Sequence, residues 1–334
     1  MNVNRTELIQ ALEAVKVGLS TGGSSEISHT FIFMDGFVFT YNDEISVRFP
    51  FSIGVEGAVD GKLFLSFLHK LKGDIISIDK NETGSEITVK QKRSKSGFTV
   101  QQDVDTPLSN ITYTKKWISL EDTDFTKALQ FTKHIPTADM STPALTCIYL
   151  SGGKIQASDR YRVVEYVFDA ENKTKIKNTL IPQQALGAVI AMNPTGIQIS
   201  GNWVHFKNKK GSVLSCRTYD ADFPNVSSFI GLTGDSITLP AGLLDILEKT
   251  ALFGEVDNII TITIQKKILL IESKDVNGWY KEKIKINYQG PEITFSIMNY
   301  LLIGIIKEVD SFIINGALLS FSKNNWTYTT TTVV

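Results

Sequence analysis

The chain has 334 residues, 42% of them hydrophobic and 21% charged, with a formal net charge of −1. This is ordinary globular composition with apolar material for more than one core, and the length suggests two or three domains. Near-neutrality argues against a bulk polyanion binder but leaves room for a locally basic surface.

The opening "MNVNRTELIQ" lacks the basic region and apolar core of a secretory leader, so a cytoplasmic chain is expected. The apolar run "ITFSIMNYLLIGII", Ile293 to Ile306, is too short to cross a hydrocarbon layer roughly 30 Å thick, and its pattern predicts a buried helix. No membrane partner is expected. Cys147 and Cys216 sit in apolar, strand-like runs without the spacing of a disulfide framework or a zinc site, so both are expected as reduced core residues with no bound metal.

An internal repeat organises the rest. Asp43 follows "TFIFMDGFVFTYN", Asp159 follows "TCIYLSGGKIQAS" and Asp275 follows "IITITIQKKILLIESK", and the three Asp residues are spaced 116 residues apart. Ahead of each lies an amphipathic helical pattern: "NRTELIQALEAVKVGL", "EDTDFTKALQFTKHI" and "PAGLLDILEKTALF". Asp122 and Thr123 suit a helix N-cap, and Pro240 suits a first helical turn. After each Asp comes a second helical pattern: "DGKLFLSFLHKLKG", "IPQQALGAVIAMNPTG" and "FSIMNYLLIGIIKEVD". Gly73 and Asn193 are placed as C-terminal stops. Short alternating runs joined by Gly and Asn turns follow each second helix and predict strands. Each repeat therefore reads as an α+β domain with two helices packed on antiparallel sheet. The boundaries fall in the turn-rich "DVDTPLSN" and "GLTGD", giving domains 1–110, 111–233 and 234–334.

Helical periodicity turns Phe125, Ala128, Leu129 and Phe131 toward the sheet, and Lys127, Gln130 and His134 away from it. On the second helix of the first repeat it turns Leu63, Phe64, Phe67, Leu68 and Leu71 inward and Lys62, Ser66, His69 and Lys70 outward. Arg5, Lys16, Lys249 and Lys307 add positive charge to the helices, while Glu7, Glu13, Asp245 and Glu248 dilute it. Solvated helix faces account for this pattern as well as a functional basic surface does.

Catalysis finds no support. There is no phosphate loop, HExxH or nucleophile elbow, and the four histidines are scattered. His205 is expected to be a packed residue, and the three repeated Asp residues are expected to bond their own turn backbones. No catalytic residue and no cofactor are assigned.

At this point three stretches resemble the bacterial DNA polymerase III β subunit, the sliding-clamp family. "QASDRYRVVEY" is similar to the family's A-T-D-G-H/Y-R-L-A, "YDADFPNVSSFIG" to its F-P-D-Y region, and "INYQGPEITFSIMNYLLIGIIK" to its F-N-x-x-Y-L region, while "WTYTTTTVV" occupies the place of its Y-V-V-M-P-M-R-L ending. Order and spacing hold across most of repeats 2 and 3, and repeat 1 matches in pattern only. The resemblance implies three repeated clamp domains per chain, a head-to-tail homodimer closing a six-domain ring, and a non-catalytic processivity factor for DNA replication. The implied partners are double-stranded DNA, encircled without sequence preference, a DNA polymerase and a clamp loader.

It also implies roles by position. Lys16, Lys62, Lys70, Lys127, Lys133 and Lys249 would face DNA. Phe98, Leu252 and Phe253 would lie at the dimer interface. A partner-peptide pocket between domains 2 and 3 would use Leu145, Ser158, Arg160, Tyr161, Arg162 and Val163, together with Gly231 and the chain end Thr330, Thr331, Thr332, Val333 and Val334. Partners would insert a short Gln/Leu/Phe-type peptide there. Arg160 stands where the family has Gly, Gly231 where it has Pro, and threonines where it has Met-Pro-Met, so a more polar pocket is expected, in a divergent member such as a phage encodes. Three competing readings remain: a structural or assembly protein of three α+β repeats, a decoy that blocks or titrates replication partners, and an enzyme, which only a metal- or nucleotide-dependent activity would revive.

Overall fold

The structure, a computed structural model, describes residues 1–20, 26–42, 44–101, 111–168, 176–253 and 258–333. Asp43, Val334 and the boundary segment 103–110 lie outside these residues.

One order of elements runs three times along the chain. The first pass is β1 (Asn2–Asn4), α1 (Arg5–Val15), β2 (Thr30–Met34), β3 (Phe37–Tyr41), β4 (Ile45–Pro50), β5 (Gly57–Asp60), α2 (Gly61–Lys70), β6 (Ile75–Lys80), β7 (Glu86–Gln91) and β8 (Ser94–Thr99). The second is β9 (Ile118–Ser119), α3 (Phe125–Thr132), β10 (Cys147–Ser151), β11 (Lys154–Ser158), β12 (Arg162–Val167), β13 (Thr179–Pro182), α4 (Gln183–Met192), β14 (Gly196–Ser200), β15 (Trp203–Lys207) and β16 (Val213–Arg217). The third is β17 (Asp235–Thr238), α5 (Leu243–Thr250), β18 (Ile259–Gln265), β19 (Ile268–Lys274), β20 (Trp279–Lys285), β21 (Ile293–Met298), α6 (Asn299–Ile303), β22 (Ser311–Asn315), β23 (Leu318–Lys323) and β24 (Trp326–Thr331). The α+β class and the threefold repeat expected from the sequence are both present.

Each pass builds two four-stranded halves, of which β5-β2-β3-β4 and β1-β6-β7-β8 are the first pair. Successive passes are stitched by one kind of junction. β4 pairs antiparallel with β16, Arg48 opposite Val213, and β12 pairs antiparallel with β24, Glu165 opposite Thr327. Two eight-stranded sheets result, β5-β2-β3-β4-β16-β15-β14-β9 and β13-β10-β11-β12-β24-β23-β22-β17, while β1-β6-β7-β8 and β20-β19-β18-β21 stay four-stranded. By compactness the chain divides into two units, Met1–Gln130 with Leu150–Gly153 and Asp169–Asp220, and Phe131–Tyr149 with Lys154–Phe168 and Ala221–Val334, so the division passes inside the second pass.

Local chemistry sets the helix ends. Asn4 caps α1 by accepting from the N–H groups of Thr6 and Glu7, and Asp60 caps α2 by accepting from Leu63 N–H at 2.6 Å. Asn193 ends α4 in the left-handed conformation (φ 49°). Gly73 is not a cap: α2 stops at Lys70, and the Gly73 carbonyl instead accepts from Arg5 Nε at 2.7 Å. Pro240 lies ahead of α5, whose N-cap is Gly242 at φ 87°. Aromatic side chains fill the sheet–helix interface of the first pass, where Phe98 meets Phe64 at 5.0 Å and Phe67 at 5.3 Å between ring centroids. Full burial of such a ring contributes about 1.5–3 kcal/mol.

Two helix readings change. Leu63 faces solvent at 60% exposure, and Leu65 takes the inward position, because Gly61, Phe64, Leu65 and Leu68 form the buried stripe. The run Ile293 to Ile306 is not one helix. Its first six residues form β21, with Ile260 opposite Ile297 and Ile262 opposite Phe295 on β18, and only Asn299–Ile303 is α-helical. Ladder bonds to an Ile- and Thr-rich neighbour outweigh the helical spacing of the apolar residues.

Candidate functional site

Asp159 and its repeat partners are turn-formers. Asp159 Oδ1 accepts from the N–H groups of Tyr161 and Arg162, both at 3.1 Å, and Asp275 Oδ1 accepts from Asn277 at 2.7 Å and Gly278 at 2.8 Å. In the first pass Asn42 plays this part, accepting from Ile45 N–H at 2.9 Å, while Asp43 lies outside the described residues.

Only the second turn carries arginines. Arg162 Nε donates to Asp159 Oδ2 at 2.8 Å, and a terminal guanidinium nitrogen donates to the His134 carbonyl at 3.2 Å. The guanidinium also sits 5.6 Å from the ring centroid of Tyr300. Burial opposes the Arg162 charge, but Tyr328 and Asp159 more than offset it and hold its pKa above the ordinary value. Burial pushes the Tyr328 hydroxyl up to about 12, so it stays a donor, bonded to the Leu301 carbonyl at 2.9 Å.

Arg160 adopts φ 79°, a conformation that favours glycine. Its guanidinium compensates by holding the neighbouring loop: Ser141 Oγ at 3.1 Å, Thr142 Oγ1 at 2.5 Å and Asp139 Oδ2 at 3.2 Å. The chain end closes the other side. Tyr161 O accepts from Thr331 N–H at 2.9 Å and Thr330 Oγ1 at 3.1 Å, and Thr332 and Val333 continue along the Ala317 and Ser296 carbonyls. Thr329 Oγ1 donates to the Phe229 carbonyl at 2.7 Å, drawing in the loop that carries Gly231 (φ 69°). Leu145, Ser158, Val163 and Thr330 are buried, while Tyr161 is 47% exposed. Hydrogen bonds thus join Tyr161 of the turn to Thr330 and Thr331 of the chain end, and Val334 is outside the described residues. Sequence reasoning missed Tyr300, Tyr328 and the Asp139–Thr142 loop, whose link to Arg162 and Arg160 lies wholly in tertiary contacts.

The six nominated lysines do not form one class. Lys62, Lys70 and Lys127 are exposed and make no ion pair among the described residues. Lys16 lies just past α1 and pairs with Glu13 at 3.4 Å, and Lys249 pairs with Glu282 of β20 at 3.2 Å. Lys133 lies just past α3 and is half-buried. A groove of about 1010 Å³ between α1 and α4 adds Lys209 and Lys210.

Phe98 belongs to the core of its own pass and is buried. Leu252, by contrast, is 79% exposed, and Phe253 stacks on Tyr280 of β20 at 5.7 Å. Trp279 and Val276, at 68% and 88% exposure, lie on β20 and the turn leading into it. Both β20 and β8 are sheet edges.

A buried polar cluster lies under residues 113–117. Gln198 bonds Thr114 from both amide atoms, Arg48 lies 4.6 Å from the Tyr113 ring, and His205, fully buried, meets Ser215 Oγ at 2.8 Å. Burial, with Arg48 nearby, pushes His205 down to about 4, so it is neutral at physiological pH. Neither cysteine is in a disulfide, both are buried, and burial pushes the Cys147 thiol up to about 11. Among the described residues no group of three or more His, Cys, Asp or Glu is placed to hold a metal ion, and no helix is long and apolar enough to cross a membrane.

No protein-family model and no curated protein sequence matches the chain. Solved structures do. The pol III β of Caulobacter crescentus superposes with a TM-score of 0.88 at 14% identity, covering 100% of this chain and 99% of that one. The DNA polymerase sliding clamp of Pseudomonas aeruginosa, solved with a ligand, gives 0.87 at 14% identity over 100% and 99%. That of Bacillus subtilis gives 0.85 at 15% over 100% and 98%. The chain has the sliding-clamp fold from end to end, and at this identity the likeness speaks for the fold alone.

Proposed function

We propose that this protein is a DNA sliding clamp: a non-catalytic homodimer that encircles duplex DNA and tethers a polymerase through the neighbourhood of Asp159–Arg162. One observation carries the reading. Both internal junctions are made by the same pair of strand positions, β4 with β16 and β12 with β24. The leftover halves of that junction, β20 and β8, are unpaired edges at opposite ends of the repeat. Two chains head to tail pair β20 of each with β8 of the other, which satisfies all four edges and closes the assembly. Leu252, Phe253 and Trp279 then lie at the junction, and Phe98 borders it from the core side.

Exposed lysines on the helices suit a surface that attracts phosphates without reading bases, and topological linkage replaces tight binding. A polymerase held on the ring gains a high effective concentration. The Asp159–Arg162 turn supplies exposed Tyr161 and Tyr300 beside two arginines, a recognition surface suited to a short partner peptide and more polar than an aliphatic pocket. A clamp loader, the domain limits 1–110, 111–233 and 234–334, and a cytoplasmic setting belong to the same proposal. The full-length fold likeness does not favour the purely structural alternative.

Solution mass by light scattering, followed by retention on circular against linearised DNA, tests it. A mass of twice 37.1 kDa with retention on circles only is expected. A monomer at all concentrations, or equal retention on both DNA forms, overturns the reading.

A further inference from the structure

We infer that the junction between two copies of this chain is electrostatically repulsive on its outer face, so the dimer tightens as ionic strength rises. The inference rests on the head-to-tail pairing proposed above.

The internal junctions set the register. The turn-formers Asn42, Asp159 and Asp275 mark equivalent positions, so Arg48, Glu165 and Lys281 are equivalent strand residues. Arg48 faces Val213, and Glu165 faces Thr327. The β7–β8 and β23–β24 hairpins both close through two residues, with Gln91 opposite Ser94 and Lys323 opposite Trp326, so Lys95 is the equivalent of Thr327. Lys281 of one copy therefore faces Lys95 of the other. The same register sets Trp279 against Gly97 and Gly278 against Phe98.

At one end the junction is apolar. Trp279 and Leu252 are exposed, and the indole faces Gly97, over which the Glu86 side chain lies. A Cβ at Gly278 would come within 3.6 Å of Phe253, so that ring lies at this end too, and Phe98 of the other copy, buried against its own Phe64 and Phe67, borders it from the core side. At the other end the alternation of β20 puts Lys281, Lys283 and Lys285 on the exposed face, and β8 with its turn presents Lys92, Arg93 and Lys95. Among the described residues two carboxylates on the adjoining strands temper these six cations. Glu272 holds Lys281 at 2.7 Å within its own chain, and Glu86 lies over Gly97, where an added Cβ would sit 2.5 Å from its Cδ. Like charges directly opposite across strands destabilise, and the excess of cations makes repulsion the larger effect. Salt shortens the screening length from roughly 30 Å at 0.01 M to about 8 Å at 0.15 M, which weakens repulsion between exposed charges. Lysines on a bare edge also discourage indiscriminate pairing, so the same residues guard the monomer and loosen the ring.

The test is the dimer dissociation constant by sedimentation equilibrium at about 10 mM and 150 mM NaCl, for the wild-type chain and for Lys95→Glu and Lys95→Gln. The wild type should tighten on the order of tenfold with salt, since two such junctions close one ring. Lys95→Glu should be tighter than wild type at low salt and lose most of the salt response, with Lys95→Gln between them. This separates charge from general salting-out, which all three share. A wild-type dimer that weakens with salt, or a Lys95→Glu dimer weaker than wild type at low salt, overturns the repulsion while leaving the dimer standing. A chain monomeric under every condition overturns the pairing itself.

Discussion

Asp159 and Arg162 close a four-residue turn: one carboxylate oxygen takes two backbone N–H groups while the other takes Arg162 Nε at 2.8 Å. Both side chains are largely buried, at 12% and 15% exposure. Asp159→Ala would leave Arg162 buried with only the His134 carbonyl, the Tyr328 hydroxyl and the Tyr300 ring as partners, costing about 2–3 kcal/mol in urea unfolding after allowance for residual solvent access. Binding of a labelled Gln/Leu/Phe-type peptide, read by fluorescence polarisation, should fall with it. Asp275→Ala, which breaks the equivalent turn without an arginine, should cost no more than about 1 kcal/mol and leave peptide binding unchanged.

That contrast marks how far the sequence could be read. The spacing of Asp159 and Asp275 made the repeat legible, as did the amphipathic stripes of Phe125, Ala128 and Leu129. At the first turn Asn42 and Asp43 stand side by side, and because Asn and Asp serve equally as turn acceptors, spacing alone does not choose between them. The β21 segment resisted because its Ile and Phe spacing fits either a helix or a two-sided strand, and only its pairing with β18 decides. The residues around Asp159–Arg162 were nominated by resemblance, and their mutual contacts were not visible at all. Nothing local in the chain announces that Arg160 reaches Thr142, or that Tyr300 lies over Arg162.

His205 gives stability a pH dependence whose sign is fixed. Its folded pKa of about 4 lies below the ordinary 6.5, so the unfolded chain binds the extra proton first as pH falls. Stability is fully present above about 6.5 and declines progressively down to about 4, by up to about 3 kcal/mol from this group. Urea midpoints at successive pH values from 7 to 5 should fall for the wild-type chain. His205→Gln should start lower, having disturbed the Ser215 contact, but show a flatter profile over that window. Parallel profiles would mean that His205 is not the titrating group.

The lysines should separate by their existing partners. Lys62, Lys70 and Lys127 are exposed without an ion pair among the described residues, whereas Lys249 is held by Glu282. Removing a cation that meets a phosphate lowers the slope of log affinity against log salt by about one. Lys62→Ala, Lys70→Ala and Lys127→Ala should each reduce that slope for DNA binding, and Lys249→Ala should reduce it less.

Leu252 offers the cleanest test of the dimer because it is 79% exposed and carries little of the monomer's stability. Leu252→Asp places a charge in the apolar end of the junction, beside Trp279 and the facing chain. Burying it there without a partner costs several kcal/mol, and the charge enters both junctions of a closed ring. The variant should therefore be monomeric by light scattering at concentrations where the wild-type chain is dimeric. Its urea unfolding should stay within about 0.5 kcal/mol of a monomeric reference, as for other exposed substitutions. Peptide binding at Asp159–Arg162 should survive, since that neighbourhood is complete within one chain. A monomer that still binds peptide but slips off circular DNA separates tethering from encirclement, the two halves of the proposed activity.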